Sequence, residues 1–583
     1  MSDRRRPGFS SVLSARSSRL QQISLVDVMV ALAVLVGLYL VAKVGQGTTV
    51  SFTAAENRGI STDPANLPYY AARSLLRMFV ALGASFLFTF VYASVAAKSR
   101  RAEKVLIPAL DILQSVPVLG FLSITVTAFI ALAPGSLLGL EMASVFAIFT
   151  SQVWNLTFSF YHSLITLPQD LDALSRVMRL SRWQRFWRIE VPNGTIGLVW
   201  NGMMSMGGGW FFLVASEAIT VLNRKYSLPG VGAYAGAAIA AGSLGQVALA
   251  VLAMVIMVVG VNFLFWSPLV AWSEKFKNEL SESDEISRSM VLNLLRSSSW
   301  PRVLGRLRRR VAIPVNRIGD RLFGVDEVQL GEPGDGRRTG DVVFAVVMSA
   351  LVGWGTWSLY RFITVVDGPA IFWTPLWQGA VTLARVVVLV IGATLVWIPI
   401  GVRIGMNPKL GRIAQPIVQI LASFPANFLF PFATYVFIHT GLGLDVGGVV
   451  LMSLGAQWYI LFNTIAGAMA IPSDLREAMD DLGVTGWLRW RHLILPGIFP
   501  YYVTGGITAS GGAWNASIVA EIVTYGGTTL TATGLGAYIA HATEVGNMQQ
   551  TLAGVSVMSL YVVALNRLFW QRLYRLAERR FSL

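Results

Sequence analysis

The chain has 583 residues, of which 54% are hydrophobic and only 13% charged, with 46 Lys and Arg against 31 Asp and Glu for a formal net charge of +15; its mean hydropathy is +0.59. Soluble globular proteins carry about 25% charged residues, so a water-soluble fold is excluded and a polytopic membrane protein is implied. Cysteine is absent, which excludes disulfides, thiolate metal sites and cysteine nucleophiles.

A membrane-crossing helix needs about 20 mostly apolar residues. The first candidate runs from Ser24 to Val44, behind Arg4, Arg5 and Arg6. It is long for a signal peptide and no small-residue cleavage site stands out, so it reads as an uncleaved first span. Further spans are expected near 70–97, 105–133, 138–166, 197–221 and 246–272. The second half repeats this near 341–365, 376–402, 413–439, 444–470, 499–523 and 549–571. The expected fold is an all-α membrane protein of about twelve transmembrane helices in two parallel six-helix repeats. The division expected is 1–272, a linker at 273–340, and 341–583.

Charge sets the orientation. The N-terminus, the loop from Lys98 to Lys104, segments 168–192 and 472–496, the linker, the loop from Arg403 to Arg412 and the tail at Arg579 and Arg580 all carry excess Lys or Arg. Alternating spans place them on one side, which the positive-inside rule makes the cytoplasm, so both termini are expected there. The same distribution removes nucleic acid as a partner and makes the bilayer the surrounding phase. The linker, with Arg308, Arg309 and Arg310, reads as a polar connector or as a patch drawn to anionic lipid.

The two halves are copies. Trp154 falls on Trp458, Pro168 on Pro472, Trp183 on Trp487, Pro192 on Pro496, Trp210 on Trp514 and Glu217 on Glu521, each 304 residues apart. Upstream the offset is 308, with Arg77 on Arg385 and Pro117 on Pro425. A repeat of this length is a duplicated domain, not a solenoid unit.

Each half holds a long polar segment between its fourth and fifth spans. In the second copy Leu475, Ala478, Met479 and Leu482 fall at i, i+3, i+4 and i+7, one apolar stripe of a short helix. Gly483 suits the left-handed position that ends such a helix. An amphipathic helix there either docks on a partner or lies on the membrane surface.

Glu477, Ala478 and Met479, then Gly483, then Ile494, Leu495 and Pro496 resemble the EAA loop of ABC importer permeases, whose pattern is E-A-A-x-x-x-G followed by I-x-L-P. In the first copy Ala173, Leu174 and Ser175 replace the E-A-A, Asp172 stands beside them, and Arg179 replaces the glycine. The runs from Leu113 to Pro117, Ala422 to Pro425 and Trp514 to Glu521, with Gly534 to Gly536, are similar to the nitrate, sulfonate and taurine branch of these permeases. The resemblance implies the type I ABC importer permease fold and a translocation pathway for a small anion such as nitrate, a sulfonate, taurine or bicarbonate. It implies that Leu171, Asp172, Ala173 and Leu174 in one half, and Glu477, Ala478, Met479 and Gly483 in the other, contact two ABC ATPase subunits. An extracytoplasmic binding protein usually delivers substrate in the family. No G-x-x-x-x-G-K-[ST] loop exists in this chain, so no cofactor is expected in it; ATP and Mg belong to the partner ATPase, and the chain itself reads as a transport subunit, not an enzyme.

Arg77, Glu217, Arg385 and Glu521 lie inside apolar stretches. Charges at membrane depth cost about 2.5–3.5 kcal/mol on insertion scales, and they pair or line a pathway. Both roles stay open here, as helix-fixing ion pairs or as contacts to an anionic substrate. An ion-gradient-driven secondary transporter with twelve spans is the competing class; it calls for acids at the midplane and no docking helices, whereas the acids here sit near helix ends.

Overall fold

The computed structural model describes residues 59–115, 118–221, 224–276, 290–297 and 336–580, together with positions 45, 312–314, 316–321 and 324. The expected span from Ser24 to Val44 lies outside the described residues.

The first half opens with a 3-10 turn at Pro64–Asn66, capped by Asp63, whose carboxylate accepts from the Ala65 N–H at 2.9 Å, and the turn runs straight into α1 (Leu67–Lys98). Next come α2 (Arg100–Ser115), α3 (Val118–Leu132) and α4 (Leu138–Ile165). Two short helices, α5 (Gln169–Val177) and α6 (Arg182–Arg185), fill the polar segment. A π turn at Phe186–Glu190 then leads into α7 (Val191–Glu217). A hairpin of β1 (Ala218–Val221) and β2 (Arg224–Ser227) follows, with Ala218 opposite Ser227. Then come α8 (Val231–Ala240), α9 (Leu244–Val261), a π turn at Asn262–Trp266 and α10 (Ser267–Ser273). Part of the linker forms α11 (Met290–Ser297).

The second half opens with α12 (Gly336–Ile363) and then repeats the order of the described first half. It contains α13 (Trp373–Gly405), α14 (Pro408–Ser423), α15 (Phe430–Thr440), α16 (Leu444–Ala470), α17 (Ser473–Asp481) and α18 (Gly486–Arg489). A π turn at Trp490–Ile494 joins α19 (Leu495–Ala520), then β3 (Ile522–Tyr525) pairs with β4 (Thr528–Thr531). The half ends with α20 (Leu535–Val545), α21 (Met548–Leu565), a π turn at Asn566–Trp570 and α22 (Gln571–Arg580).

Among the described residues five helical segments are long and apolar enough to cross a membrane: Pro64–Lys98, Leu244–Phe276, Gly368–Gly405, Leu444–Ala470 and Met548–Ala577. Helices α4, α7, α12 and α19, of 28, 27, 28 and 26 residues, are close in length to the shortest of these, Leu444–Ala470, which has 27. Apolar side chains such as Leu87, Leu395 and Trp354 point outward, while Arg77, Thr157 and Glu521 are buried. A chain solvated by lipid has this distribution, because polar groups must be satisfied inside.

Three expectations are corrected. The spans expected at 105–133 and 413–439 are each two helices. The break in the second copy falls at Pro425, whose predecessor Phe424 is extended, since a proline disfavours the α conformation of the residue before it. Thus α3, with 15 residues, and α15, with 11, are each shorter than a bilayer requires. The span expected to reach residue 221 stops at Glu217, and the helical fold carries two small hairpins. The β3–β4 hairpin turns at Gly526 and Gly527, both with positive φ (56° and 82°), the conformation a two-residue hairpin turn demands.

The halves interlock. Val118, Leu122 and Val126 of α3 belong to the apolar cluster built around Trp514, Leu535 and Met558 of the second half. Phe428 of the second half is buried in the first-half cluster with Met206 and Trp266. Asn515 Oδ1 accepts from the Val118 N–H at 3.2 Å, adding a polar tie.

Candidate functional site

Two kinds of site recur in both halves: a buried charge cluster and a short amphipathic helix between long ones. The clusters form where α1, α4, α7 and the start of α8 meet, and where α13, α16, α19 and α20 meet. Arg77 Nη1 donates to Glu217 Oε1 at 2.7 Å, and Arg385 Nη1 to Glu521 Oε1 at 2.8 Å. Each glutamate receives further donors. Ser74 Oγ reaches Glu217 Oε1 at 2.5 Å and the Gly232 N–H reaches Oε2 at 2.7 Å. Thr382 Oγ1 and the Gly536 N–H play the same parts on Glu521, both at 2.8 Å. The hydroxyls also accept, Ser74 Oγ from Val231 N at 3.1 Å and Thr382 Oγ1 from Leu535 N at 2.9 Å. Each glutamate thus ties the first turn of a short helix to two long ones, a network that offsets the cost of burying its charge.

Glycine makes room for this. A Cβ on Gly230 would sit 2.2 Å from the Glu217 carboxyl carbon, and one on Gly534 2.2 Å from Glu521 Oε2. Both glycines are extended, so space and not φ explains them.

Half of each cluster was not anticipated from the sequence. Glu141 takes Arg77 Nε at 2.5 Å and Arg77 Nη2 at 2.8 Å, and also binds Arg73. Asp445 takes Arg385 Nη2 at 2.7 Å, and its backbone carbonyl takes Arg385 Nε at 3.1 Å. These acids open α4 and α16, where an acidic residue passes as ordinary N-terminal chemistry. Their common offset of 304 was the signal. A cavity of about 440 Å³ borders Arg73, Arg77 and Glu141, walled otherwise by residues such as Phe129, Phe146 and Met142. Arg77 directs its donors elsewhere, to Glu141, Glu217 and the Pro229 carbonyl.

The short helices end alike. In α17 the Gly483 N–H bonds Asp480 O at 3.0 Å and the Val484 N–H bonds Met479 O at 2.9 Å. In α5 the Arg179 N–H bonds Arg176 O and the Leu180 N–H bonds Ser175 O, both at 3.1 Å. This paired pattern closes a helix through a left-handed residue. Gly483 has φ 62°; Arg179 has φ 48° and is the single positive-φ non-glycine among the described residues. That conformation costs an L residue about 1–2 kcal/mol.

Much of each helix lies open. Glu477, Ala478, Ala173 and Leu174 are exposed, as are Leu475 and Val177. Leu482 is 76% exposed and Met178, its counterpart, 58%. Met479 is half-buried and packs on a cluster of Val402, Ile471, Leu493, Ile494 and Ile498 that Met406 also joins. The first copy replaces this grease with charge. Asp172 pairs with Arg176 Nη2 at 2.5 Å and Arg185 Nη2 at 2.8 Å, and Glu190 pairs with Arg185 at 3.1 Å and Lys98 Nζ at 2.8 Å. Asp172 and Leu171 are half-buried, so the open face of α5 is that of Ala173 and Leu174.

Comparison with known proteins bears on both sites. The family described as binding-protein-dependent transport system inner membrane component matches residues 67–267 and again 397–583. The nitrate import permease protein NrtB of Leptolyngbya laminosa is 27% identical over 192 residues, 33% of this chain and 65% of that protein. The taurine transport system permease protein TauC of Escherichia coli is 25% identical over 203 residues, 35% of this chain and 70% of its own. The bicarbonate transport system permease protein CmpB of Synechococcus elongatus is 29% identical over 150 residues, 26% of this chain and 52% of its own. The chain thus spans between half and 70% of the length of these relatives.

Proposed function

The chain belongs to the family of binding-protein-dependent transport system inner membrane components, and from that premise we propose that it is the membrane-spanning permease subunit of an ATP-driven importer. Residues 1–272 and 341–583 are its two permease domains, joined by the linker at 273–340. Both termini and the linker face the cytoplasm, where positive charge is retained. The cargo is a small anion; the relatives named for nitrate, taurine and bicarbonate support that class.

The observation that carries the proposal is the pair α5 and α17, at matching places in the two halves, each leaving apolar side chains open beside a polar segment. They are the contacts for two ATP-hydrolysing subunits, which hold ATP and Mg and supply the hydrolysis. Dimerisation of those subunits draws α5 and α17 together, and the π turns into α7 and α19 pass that movement to the bundle. An extracytoplasmic binding protein presents the anion at the opposite face. The buried charge clusters do not touch cargo; they lock α8 and α20 to the bundle.

Uptake of labelled nitrate, taurine and bicarbonate is measured into vesicles holding the chain and its ATPase, with and without ATP and with an ionophore. The reading requires uptake of one of these anions that needs ATP and survives the ionophore. Uptake that ignores ATP and collapses with the ionophore would replace it with a gradient-driven carrier. Reporter fusions at both termini and within 273–340 test orientation; an external linker would overturn it.

A further inference from the structure

The linker does not merely connect. Its helical residues 316–321 and Gly324 sit on the first docking loop. Trp183 Nε1 donates to Asn316 Oδ1 at 3.0 Å, and Gln184 Nε2 to Asp320 Oδ2 at 2.8 Å. Ser181 Oγ binds the other oxygen of Asp320, and the Arg182 N–H bonds Gly324 O at 3.1 Å. Gly319 lies flat on the Trp183 indole: a Cβ there would stand 2.5 Å from Cγ. Among the described residues nothing covers the second loop at the same place, and Trp487, the counterpart of Trp183, is 70% exposed.

These contacts begin two residues after Arg179, the left-handed arginine that stands where the second loop has Gly483. A glycine holds that conformation without steric cost; an arginine does not. The clamp therefore falls on the loop whose turn is strained, and on the residues that leave it. It leaves Leu174 and Val177 of α5, and Met178 just after it, open, so it backs the docking helix without covering it.

We propose that the linker residues Asn316–Arg321, with Gly324, are a staple that holds the first docking loop in its docking shape, offsetting the strain at Arg179, so that one ATPase seat is built from two parts of the chain and the other from one loop. The staple makes the linker a positioning element for the first seat alone. This rests on the docking role proposed for α5 and α17.

The test uses the full chain in its native membrane, expressed together with the ATP-hydrolysing subunit proposed for it. The chain has no cysteine, so a single Cys at Met178→Cys or Leu482→Cys carries a benzophenone maleimide, and cross-linking to that subunit is quantified. Gly319→Leu, which drives a side chain into Trp183, is expected to lower the yield from position 178 at least fivefold and to leave position 482 unchanged, which also shows the chain is folded. Adding Arg179→Gly is expected to restore the yield at 178 to within twofold. An unchanged yield at 178 in Gly319→Leu, or no recovery with Arg179→Gly, overturns the staple while the docking reading stands. No cross-link from either position in the otherwise unaltered chain overturns the docking reading and the staple with it.

Discussion

Arg385 and Glu521, 136 residues apart in sequence, meet at 2.8 Å with the carboxylate fully buried. The same bond joins Arg77 to Glu217 at 2.7 Å. Removing one member of a buried pair costs about 3–5 kcal/mol because a charge is left without compensation. Arg385→Ala is therefore expected to destabilise more than Arg385→Ala with Glu521→Ala together. Unfolding midpoints in detergent decide this; a double variant less stable than the single would refute the pairing.

The cradle predicts a size limit at two glycines. Gly534→Ala and Gly230→Ala push a methyl into a carboxylate and should each cost at least the 1–3 kcal/mol typical of overpacking. Gly83, where an added methyl would meet nothing within 4 Å, is the control; Gly83→Ala should leave the unfolding midpoint unchanged or raise it, because Ala is favoured over Gly inside a helix by up to about 1 kcal/mol.

On the second docking helix, Glu477→Lys reverses an exposed charge and Gly483→Val forces a β-branched residue to φ 62°. Both should cut ATP-driven uptake by about tenfold or more, since 1.4 kcal/mol of lost contact is already a factor of 10. Melting temperature in the membrane fraction should hold. Normal uptake in both variants would remove α17 from the coupling path.

The tryptophans that end the π turns, Trp266 and Trp570, are both buried against a glycine, Gly202 and Gly506. Truncating a buried aromatic costs about 3–5 kcal/mol. Trp570→Ala should lower the unfolding midpoint sharply, whereas Trp487→Ala, at an open site, should leave it in place. Equal losses would mean Trp487 is buried against something in the assembled protein.

Much of this architecture was legible because the chain says it twice. The offsets of 308 and 304 align Arg77 with Arg385 and Glu217 with Glu521 from the sequence alone. What escaped has a physical reason in each case. Hydropathy sums apolar residues and does not see a chain break, so α2 and α3 merged into one expected span despite Pro117. The run Ile522 to Thr531, rich in β-branched residues around Gly526 and Gly527, carried a hairpin signal that its place beside an apolar helix concealed. Glu141 and Asp445 lay upstream of the segment where the copies align most closely. The clamp of Asn316 and Asp320 on Trp183 joins segments with no shared pattern, and no periodicity could reveal it.

The fused halves have also drifted as couples. Lys98 and Glu190 form an ion pair at 2.8 Å; the residues at the equivalent places, Met406 and Ile494, share an apolar cluster. Ile494→Glu alone strands an acid in that grease, and Met406→Lys alone strands a base. Only the joint exchange rebuilds a bond. Neither half is therefore a set of spare parts for the other: a graft between them succeeds in matched pairs or not at all, and any descendant that separated the halves would inherit two proteins with different tolerances at the same address.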